Sequence, residues 1–481
     1  MADKMVQNNW NILVITSDEH NAKIMGCAGH PIIRTPGLDR LASEGTLFTK
    51  AYCAYPICAP TRQSFITGQY PLEHGQLSNS HVFDKRNRTW AHHFKQHGYT
   101  TACIGKMHTN HESYEYGYDY RYSTEHISEE IKANRKSNPP QFDPADKLIF
   151  DSITDIRGEK PSRLHGKVVN DESLETDAIM LKEAVHYLKS HPSEKFFLHV
   201  SFVQPHWYWN TSKEYYYMYD PESIDLPKTV PGELESNAVV YKMAEKAGWF
   251  HNTEEMHRLA RARYYGSISW MDNNVNQLLD TLDELGLTEN TLVVYFSDHG
   301  DMAGEKGLWL KNQMYDSSAR VPLIIRMPGV VPAGEVNDKL INHVDLFPTL
   351  AGLTGTQEQM PNDISGVDLS GLIVGGESEN ALVKSRQFTF SIQGLKSADS
   401  VPMQVMARSD RWKFIQYAQE APDQRYVLYD MNHDPEETRN LASEEQWRPV
   451  VHEHLNAIAE FLRGLRKPAY EVIRKEEADV T

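Results

Sequence analysis

Short apolar runs alternate with amphipathic stretches along the first half of the chain. Residues 11–16 (NILVIT) form a compact apolar run, the pattern of a buried strand. Thr35-Pro36 predicts a helix start, with Leu38 and Leu41 on one face and Gly45 as the stop. Residues 46–53 come next as a strand. Residues 89–97 read as a helix ended by Gly98, and 99–104 as the strand after it. Thr176 caps a helix carrying Ile179, Leu181, Val185 and Leu188, and 196–202 is the next strand. A long helix over 254–285, stopped by Gly286, leads into a strand at 291–296. Strand–helix–strand alternation of this kind predicts a largely parallel sheet with helices on both faces.

The texture changes near residue 375. Gly375-Gly376-Glu377-Ser378-Glu379 reads as a linker. Beyond it, short alternating runs at 388–392, 402–408, 412–417 and 426–429 predict a small antiparallel sheet, and 444–465 a final helix. The expected organisation is an N-terminal α/β domain over 1–375 and a C-terminal subdomain over 376–481. Residues 111–170 are polar, contain Pro139-Pro140 and lack periodicity, which suggests an excursion over the surface or a cleft.

Composition narrows the function. The chain has 481 residues with 49 basic and 66 acidic side chains, a net charge of −17. That balance argues against nucleic acid and anionic membranes, which need a basic face. It leaves room for a small anion in a local basic pocket. The four cysteines, Cys27, Cys53, Cys58 and Cys103, make neither a disulfide framework nor a zinc ribbon. The N-terminal stretch MADKMVQNNWN lacks an apolar signal core, and no run is long enough to span a bilayer. As written, the chain reads as cytoplasmic; with a signal removed it would be periplasmic or secreted.

In an open parallel sheet, ligands bind beyond the carboxyl ends of the strands. After the five expected strands come Asp18 and Glu19, Cys58, Lys106 and His108, His206, then Asp298 and His299. Any one of these has a bland reading as a polar loop residue. Five strand ends bearing carboxylates, histidines, a lysine and a cysteine predict one site. The sharpest local pattern is Cys58-Ala59-Pro60-Thr61-Arg62, continued by Phe65-Ile66-Thr67-Gly68. Pro60 suits a first helical turn, which puts Cys58 at a helix N-terminus where free amides favour anions. Arg62, one turn on, can fold back to the same anion. C-x-P-x-R arises by chance in about one such chain in a hundred.

C-A-P-T-R with F-I-T-G resembles the signature of the type I sulfatases, in the alkaline-phosphatase superfamily. Other segments resemble that family in the same order. They are Ser17-Asp18-Glu19, Gly105-Lys106-Met107-His108, Gln204-Pro205-His206, Ser297-Asp298-His299-Gly300-Asp301, and Gly307-Leu308-Trp309-Leu310-Lys311 with Arg320-Val321-Pro322. Leu428-Tyr429-Asp430, Asp434-Pro435-Glu436 and Asn440-Leu441 are similar to the family's C-terminal part. The motifs are most similar to choline-sulfatase-like members. Three positions depart from the usual pattern: Thr61 for Ser, Glu19 where Asp or Gln is common, and His299 where many members have Asn.

The resemblance implies a large, mostly parallel sheet between helices, with a smaller C-terminal antiparallel sheet and helix. It implies hydrolysis of a sulfate monoester, of a small molecule or a short sulfated sugar. Cys58 would be oxidised to formylglycine by a maturation enzyme, and one divalent metal would be held by Asp18, Glu19, the residue at 58, Asp298 and His299. Ca²⁺ is the first expectation from the oxygen-rich set, with Mn²⁺ or Mg²⁺ left open by the imidazole. The family roles would make the hydrate at position 58 the nucleophile and Asp298 its base. Arg62, Lys106 and Lys311 would hold the sulfuryl oxygens. His206, with Lys311, would serve the leaving alkoxide, and His108 would take the second hydroxyl's proton.

The rival reading is a phosphonate or phosphate ester hydrolase using the same formylglycine, since such relatives often carry the Asp-His pair. A non-catalytic binding protein is the reading from another class, and the intact polar set argues against it. Residues 114–122 and 207–219 are rich in aromatics, which fits either a cleft wall or loop packing. Oligomeric state is not legible.

Overall fold

The computed structural model describes residues 9–80, 83–109, 115–137, 139–141, 143, 166–374, 386–394, 403–418 and 424–465. The proposed boundary at 375–376 and part of the 111–170 excursion lie outside these residues.

The main sheet is built from β1 (Asn11–Asp18), β2 (Thr46–Phe48), β4 (Thr100–Gly105), β5 (Tyr120–Ser123), β6 (Phe196–Pro205), β7 (Thr291–Ser297), β9 (Leu323–Arg326) and β10 (Glu335–Asn337). Their spatial order is β10-β2-β9-β7-β1-β6-β4-β5. β1 pairs in parallel with both β6 and β7, and β4 with β6 and β5. β9 runs against both of its neighbours. The sheet is therefore mostly parallel, as the strand–helix alternation predicts.

Both faces are covered. Side chains alternate along each strand, so Leu13 and Ile15 of β1 face one way and Ile12 and Val14 the other. The first pair packs with Leu38 and Leu41 of α1 (Pro36–Glu44), Met180 and Leu188 of α4 (Thr176–Ser190), and Met271, Val275 and Leu278 of α5 (Glu254–Glu284). The second pair packs with Phe65 of α2 (Cys58–Thr67), Trp90 and Phe94 of α3 (Trp90–Gln96), and Phe347 of α6 (Leu346–Leu353). Burial on both faces is why β1, β6 and β7 read as continuous apolar runs.

Three local expectations are corrected. The expected strand 46–53 is two strands, because Thr49 N bonds to Asn337 O and the chain then leaves the main sheet. β3 (Ala51–Tyr52) joins a separate small sheet between β8 (Arg320–Val321) and β11 (Ile341–Asn342). Thr35 does precede α1, but its hydroxyl turns to Gly26 N and Asp39. The first amides of α1, Gly37 N and Leu38 N, donate instead to the Asp272 carboxylate at 2.9 and 2.7 Å, a cap supplied from α5. Thr176 is the first helical residue of α4, and Glu175 is its cap.

The C-terminal antiparallel sheet has order β12-β13-β14-β15, from β12 (Thr389–Gln393), β13 (Gln404–Arg408), β14 (Trp412–Tyr417) and β15 (Tyr426–Asp430). Helix α7 (Arg448–Gly464) closes it through Val451, Ile458 and Leu462. β12 also bonds back to the main body through Ile392 N and Ala54 O at 3.0 Å.

Candidate active site

The expected strand-end residues converge. Asp18 ends β1, Asp298 and His299 come directly after β7, and Cys58 is the first residue of α2; all four are buried. Each offers one donor atom within 4.8 Å of the others, a set suited to a divalent cation. The division of labour within the carboxylates is clear. Oδ2 of Asp18 takes Lys106 Nζ in a short ion pair and Arg62 at 3.1 Å, while Oδ1 faces Cys58 Sγ at 3.7 Å. Asp298 Oδ2 accepts from Arg62 Nε at 2.9 Å, and its Oδ1 lies 3.6 Å from His299 Nε2. His299 Nδ1 sits 2.9 Å from the Gly300 carbonyl, an acceptor only, so Nδ1 carries the hydrogen. That turns Nε2 toward Cys58 Sγ at 3.2 Å, the arrangement that prepares an imidazole for a metal.

Backbone geometry brings Lys106 in. Gly105 has φ +115°, and a Cβ there would lie 1.9 Å from the Ser201 carbonyl oxygen. Only glycine lets β4 approach β6 so closely, and Lys106 N then bonds to that same oxygen at 2.8 Å. His206 is placed from below by Asp177, whose carboxylate accepts from Val203 N and Gln204 N at 2.8 Å each. His206 Nδ1 donates to the Trp207 carbonyl, and its Nε2 points inward, 3.4 Å from Glu19 Oε2. The His108 side chain also hydrogen-bonds the Cys58 sulfur.

Electrostatics follow from burial and these neighbours. Burial alone would raise the Cys58 thiol, but Lys106, Lys311 and His299 pull it well below its ordinary value. Burial opposes charge on His299 too, yet Asp298 and Cys58 lift it to about 9. His206 is pushed down to about 4, first by burial and then by Lys311. Asp18 is held below the usual carboxylate range by Lys106, His206 and Arg62, against burial and the Cys58 charge.

Three expectations about the site change. Arg62 does not stand free for a substrate anion. It makes four hydrogen bonds, to Asp298, Lys106 O, Ser201 Oγ and Asp18, and so ties the two carboxylates to the ends of β4 and β6. The N-terminus of α2 is not a free anion site either. Ala59 N donates to Asn79 Oδ1 at 2.9 Å, Pro60 has no N–H, and Thr61 N bonds back to Ile57 O. Glu19 has φ +69°, and its Oε2 accepts from Lys311 Nζ at 2.7 Å. Its Oε1 is buried without a partner, so one oxygen of Glu19 remains available to a cation. Burial, then the nearby Asp301, raises Glu19 well above its ordinary value, with Lys311 acting against them.

Several residues that shape the site carry no local sequence signal. Asn79, Ser201 and Asp177 act through the fold. Tyr264 of α5 accepts from Asn21 N and donates to Glu19 O, fixing the turn after β1. Thr61 Oγ1 pairs with His343 Nδ1 at 2.8 Å behind α2, so the Thr-for-Ser departure faces away from the chemistry. The aromatic runs divide. Tyr116, Tyr118, Trp209 and Tyr216 are core residues, whereas Trp207 stacks on the His206 ring and Tyr208 is exposed.

Comparisons with known proteins identify the family and the fold. The Sulfatase family model matches residues 10–356, and that of the N-sulphoglucosamine sulphohydrolase C-terminal region matches 304–463. A choline-sulfatase of Rhizobium meliloti is 28% identical, over 90% of this chain and 82% of its own. An arylsulfatase of Clostridium perfringens is 29% identical, over 92% of each. Among solved structures, the phosphonate monoester hydrolase of Agrobacterium radiobacter shares the fold. Its TM-score is 0.76 at 23% identity, covering 94% of this chain and 95% of that one.

Proposed function

This chain belongs to the sulfatase family, the hydrolases of sulfuric esters, and on that premise we propose that it cleaves a small sulfate monoester at Cys58, matured to formylglycine, beside one divalent cation. The observation that carries the reading is the placement of Cys58. It is buried among Asp18, Asp298 and His299, with Lys106, Lys311, His108 and His206 against it.

The residues present fit a cation: Asp18 Oδ1 faces Cys58, Asp298 Oδ1 (which also accepts from Glu19 N and His299 N) lies near His299, His299 presents Nε2, and Glu19 Oε1 has no hydrogen-bond partner. Asp18, Asp298, His299 and the residue at 58 would hold it, with Glu19 as a further candidate. Ca²⁺ suits the oxygens, and Mn²⁺ or Mg²⁺ would tolerate the imidazole better. Such an ion supplies charge neutralisation and a more acidic bound hydroxyl.

The protein's own groups do the rest. A sulfate monoester resists attack because it is already negative, so positive charge must surround its oxygens. Lys106 and Lys311 bring ammonium groups to the centre. Arg62 is a positioning residue that fixes the two carboxylates and the Lys106 backbone. Asp298, within 4.8 Å of the group at position 58, would accept the proton of the nucleophile. His206 presents Nε2, and with Lys311 it holds the side where an alkoxide would depart. His108, which hydrogen-bonds the Cys58 sulfur, would take the proton that releases sulfate and restores the aldehyde. The Trp207–Tyr208 pair beside His206 offers apolar surface to a sugar ring or other small leaving group. The relatives include a choline-sulfatase, an arylsulfatase and an N-acetylglucosamine-6-O-sulfatase, which supports a small ester or short sulfated sugar.

Mass spectrometry of the peptide holding Cys58, from a host with the maturation enzyme, tests this directly. An aldehyde is the expected result, and an unmodified thiol in active protein would overturn it. The Asp298-His299 pair favours a second reading, hydrolysis of a phosphonate or phosphate ester by the same residues.

A further inference from the structure

Lys311 reaches the centre on a segment that cannot hold that shape by itself. Leu310 and Asn312 flank it with φ of +65° and +82°, in the left-handed region that strains a residue with a Cβ. Outside partners hold both sides. Before Lys311, Leu310 N donates to Asp301 Oδ1 at 3.2 Å, and Leu310 O accepts from Met302 N at 2.8 Å. After it, Asn312 N donates to Pro56 O at 3.3 Å, two residues ahead of Cys58.

The two oxygens of Asn312 are taken by the C-terminal sheet. Gln393 Nε2 donates to Asn312 Oδ1 at 2.9 Å, and Gln404 Nε2 donates to the Asn312 carbonyl at 3.3 Å. The two glutamines are cross-strand partners at the adjoining ends of β12 and β13. Both side chains are buried, and Gln404 Nε2 lies 3.4 Å from Gln393 Oε1. The same sheet grips the segment again further on. Lys413 of β14 donates to Met314 O at 3.1 Å and pairs with Asp316, and Asp316 N donates to Glu437 at 2.7 Å.

We propose that Gln393 and Gln404 are positioning residues for Lys311, so that the C-terminal sheet sets where the active-site ammonium sits. The inference rests on the proposed role of Lys311 in holding the sulfuryl group. Burying an amide donor is costly unless it is paired, and both Nε2 groups donate to Asn312, the residue beside the lysine, while Gln404 Oε1 is left without a partner. Misplacing a charged group by a fraction of its contact distance weakens transition-state binding without unfolding the chain.

The test is a double-mutant cycle of Gln393→Met against Lys311→Met in the mature, metal-loaded enzyme, read as kcat/KM on whichever ester the wild type turns over. Methionine keeps the volume and removes the donor. Gln393→Met is expected to lower kcat/KM roughly tenfold to a hundredfold. In the Lys311→Met background the same change is expected to cost less than about twofold, since the effect runs through the lysine. An equal loss in both backgrounds, or no loss in the wild-type background, would overturn the proposal. Gln404→Met is read the same way should Gln393→Met fail to fold. Lys311→Met retaining wild-type kcat/KM would instead remove the role given to the lysine, a separate outcome from failure of the clamp.

Discussion

Cys58 concentrates the chemistry in one side chain, and its neighbours decide what that side chain can be. A thiol has no second hydroxyl through which to release sulfate, so Cys58→Ala should abolish turnover. Far-ultraviolet circular dichroism and thermal unfolding should show an intact fold; residual activity near wild type would contradict the assignment. Arg62 makes a different prediction. It is buried between Asp18 and Asp298, so Arg62→Met removes the guanidinium from two buried carboxylates and leaves Asp298 Oδ2 without its ion-pair partner. The expected loss is about 3–5 kcal/mol in denaturant unfolding without metal. A residue that only bound substrate would lose activity with unchanged stability. The sequence pattern brought Arg62 to the site but not to its partners, since those bonds join residues 44, 139 and 236 positions away.

At the scale of elements, the strand ends were legible and the caps were not. Buried parallel strands announce themselves as unbroken apolar runs, and the residues just after each run fall on one sheet edge. The same reasoning missed the break after Phe48, because the alternation continues while the backbone bonds move to another sheet. It also gave α1 its own cap at Thr35 and left the first amides of α2 free for an anion, whereas Asp272 and Asn79 take those amides from elsewhere. Asn79→Ala should therefore destabilise by about 1 kcal/mol and should lower activity through α2, measured by denaturant unfolding and kcat/KM together. β6 carries a further test. His199, buried in mid-strand against Thr16, is pushed down to about 3 by burial and Arg62. Between that value and about 6.5 the unfolded chain holds a proton the native protein lacks, so stability falls as pH falls through that window. From pH 7 to pH 5 the wild type should lose about 2 kcal/mol more than His199→Gln. Equal slopes would show that His199 is not held neutral.

Across the whole molecule, the net charge of −17 says little about the centre, where Lys106, Lys311 and Arg62 meet the carboxylates. It bears on the approach only as an overall repulsion of a long sulfated polymer, in line with the small ester proposed above. No described helix is long and apolar enough to cross a membrane. The sheet order, the α2 placement and the C-terminal sheet support one centre, and a cation there would neutralise its buried acids. Chelation should accordingly abolish turnover and lower the melting temperature, both restored by adding back Ca²⁺, Mn²⁺ or Mg²⁺. The choice between sulfur and phosphorus belongs to this scale as well, because solved phosphonate monoester hydrolases share the fold. The most direct measurement compares kcat/KM of the aldehyde-bearing, metal-loaded enzyme on a sulfate monoester and a phosphonate monoester with the same 4-nitrophenyl leaving group. The account predicts that the sulfate ester is the better substrate by about tenfold or more, some 1.4 kcal/mol of transition-state preference; faster phosphonate cleavage with little or no sulfate turnover would contradict it.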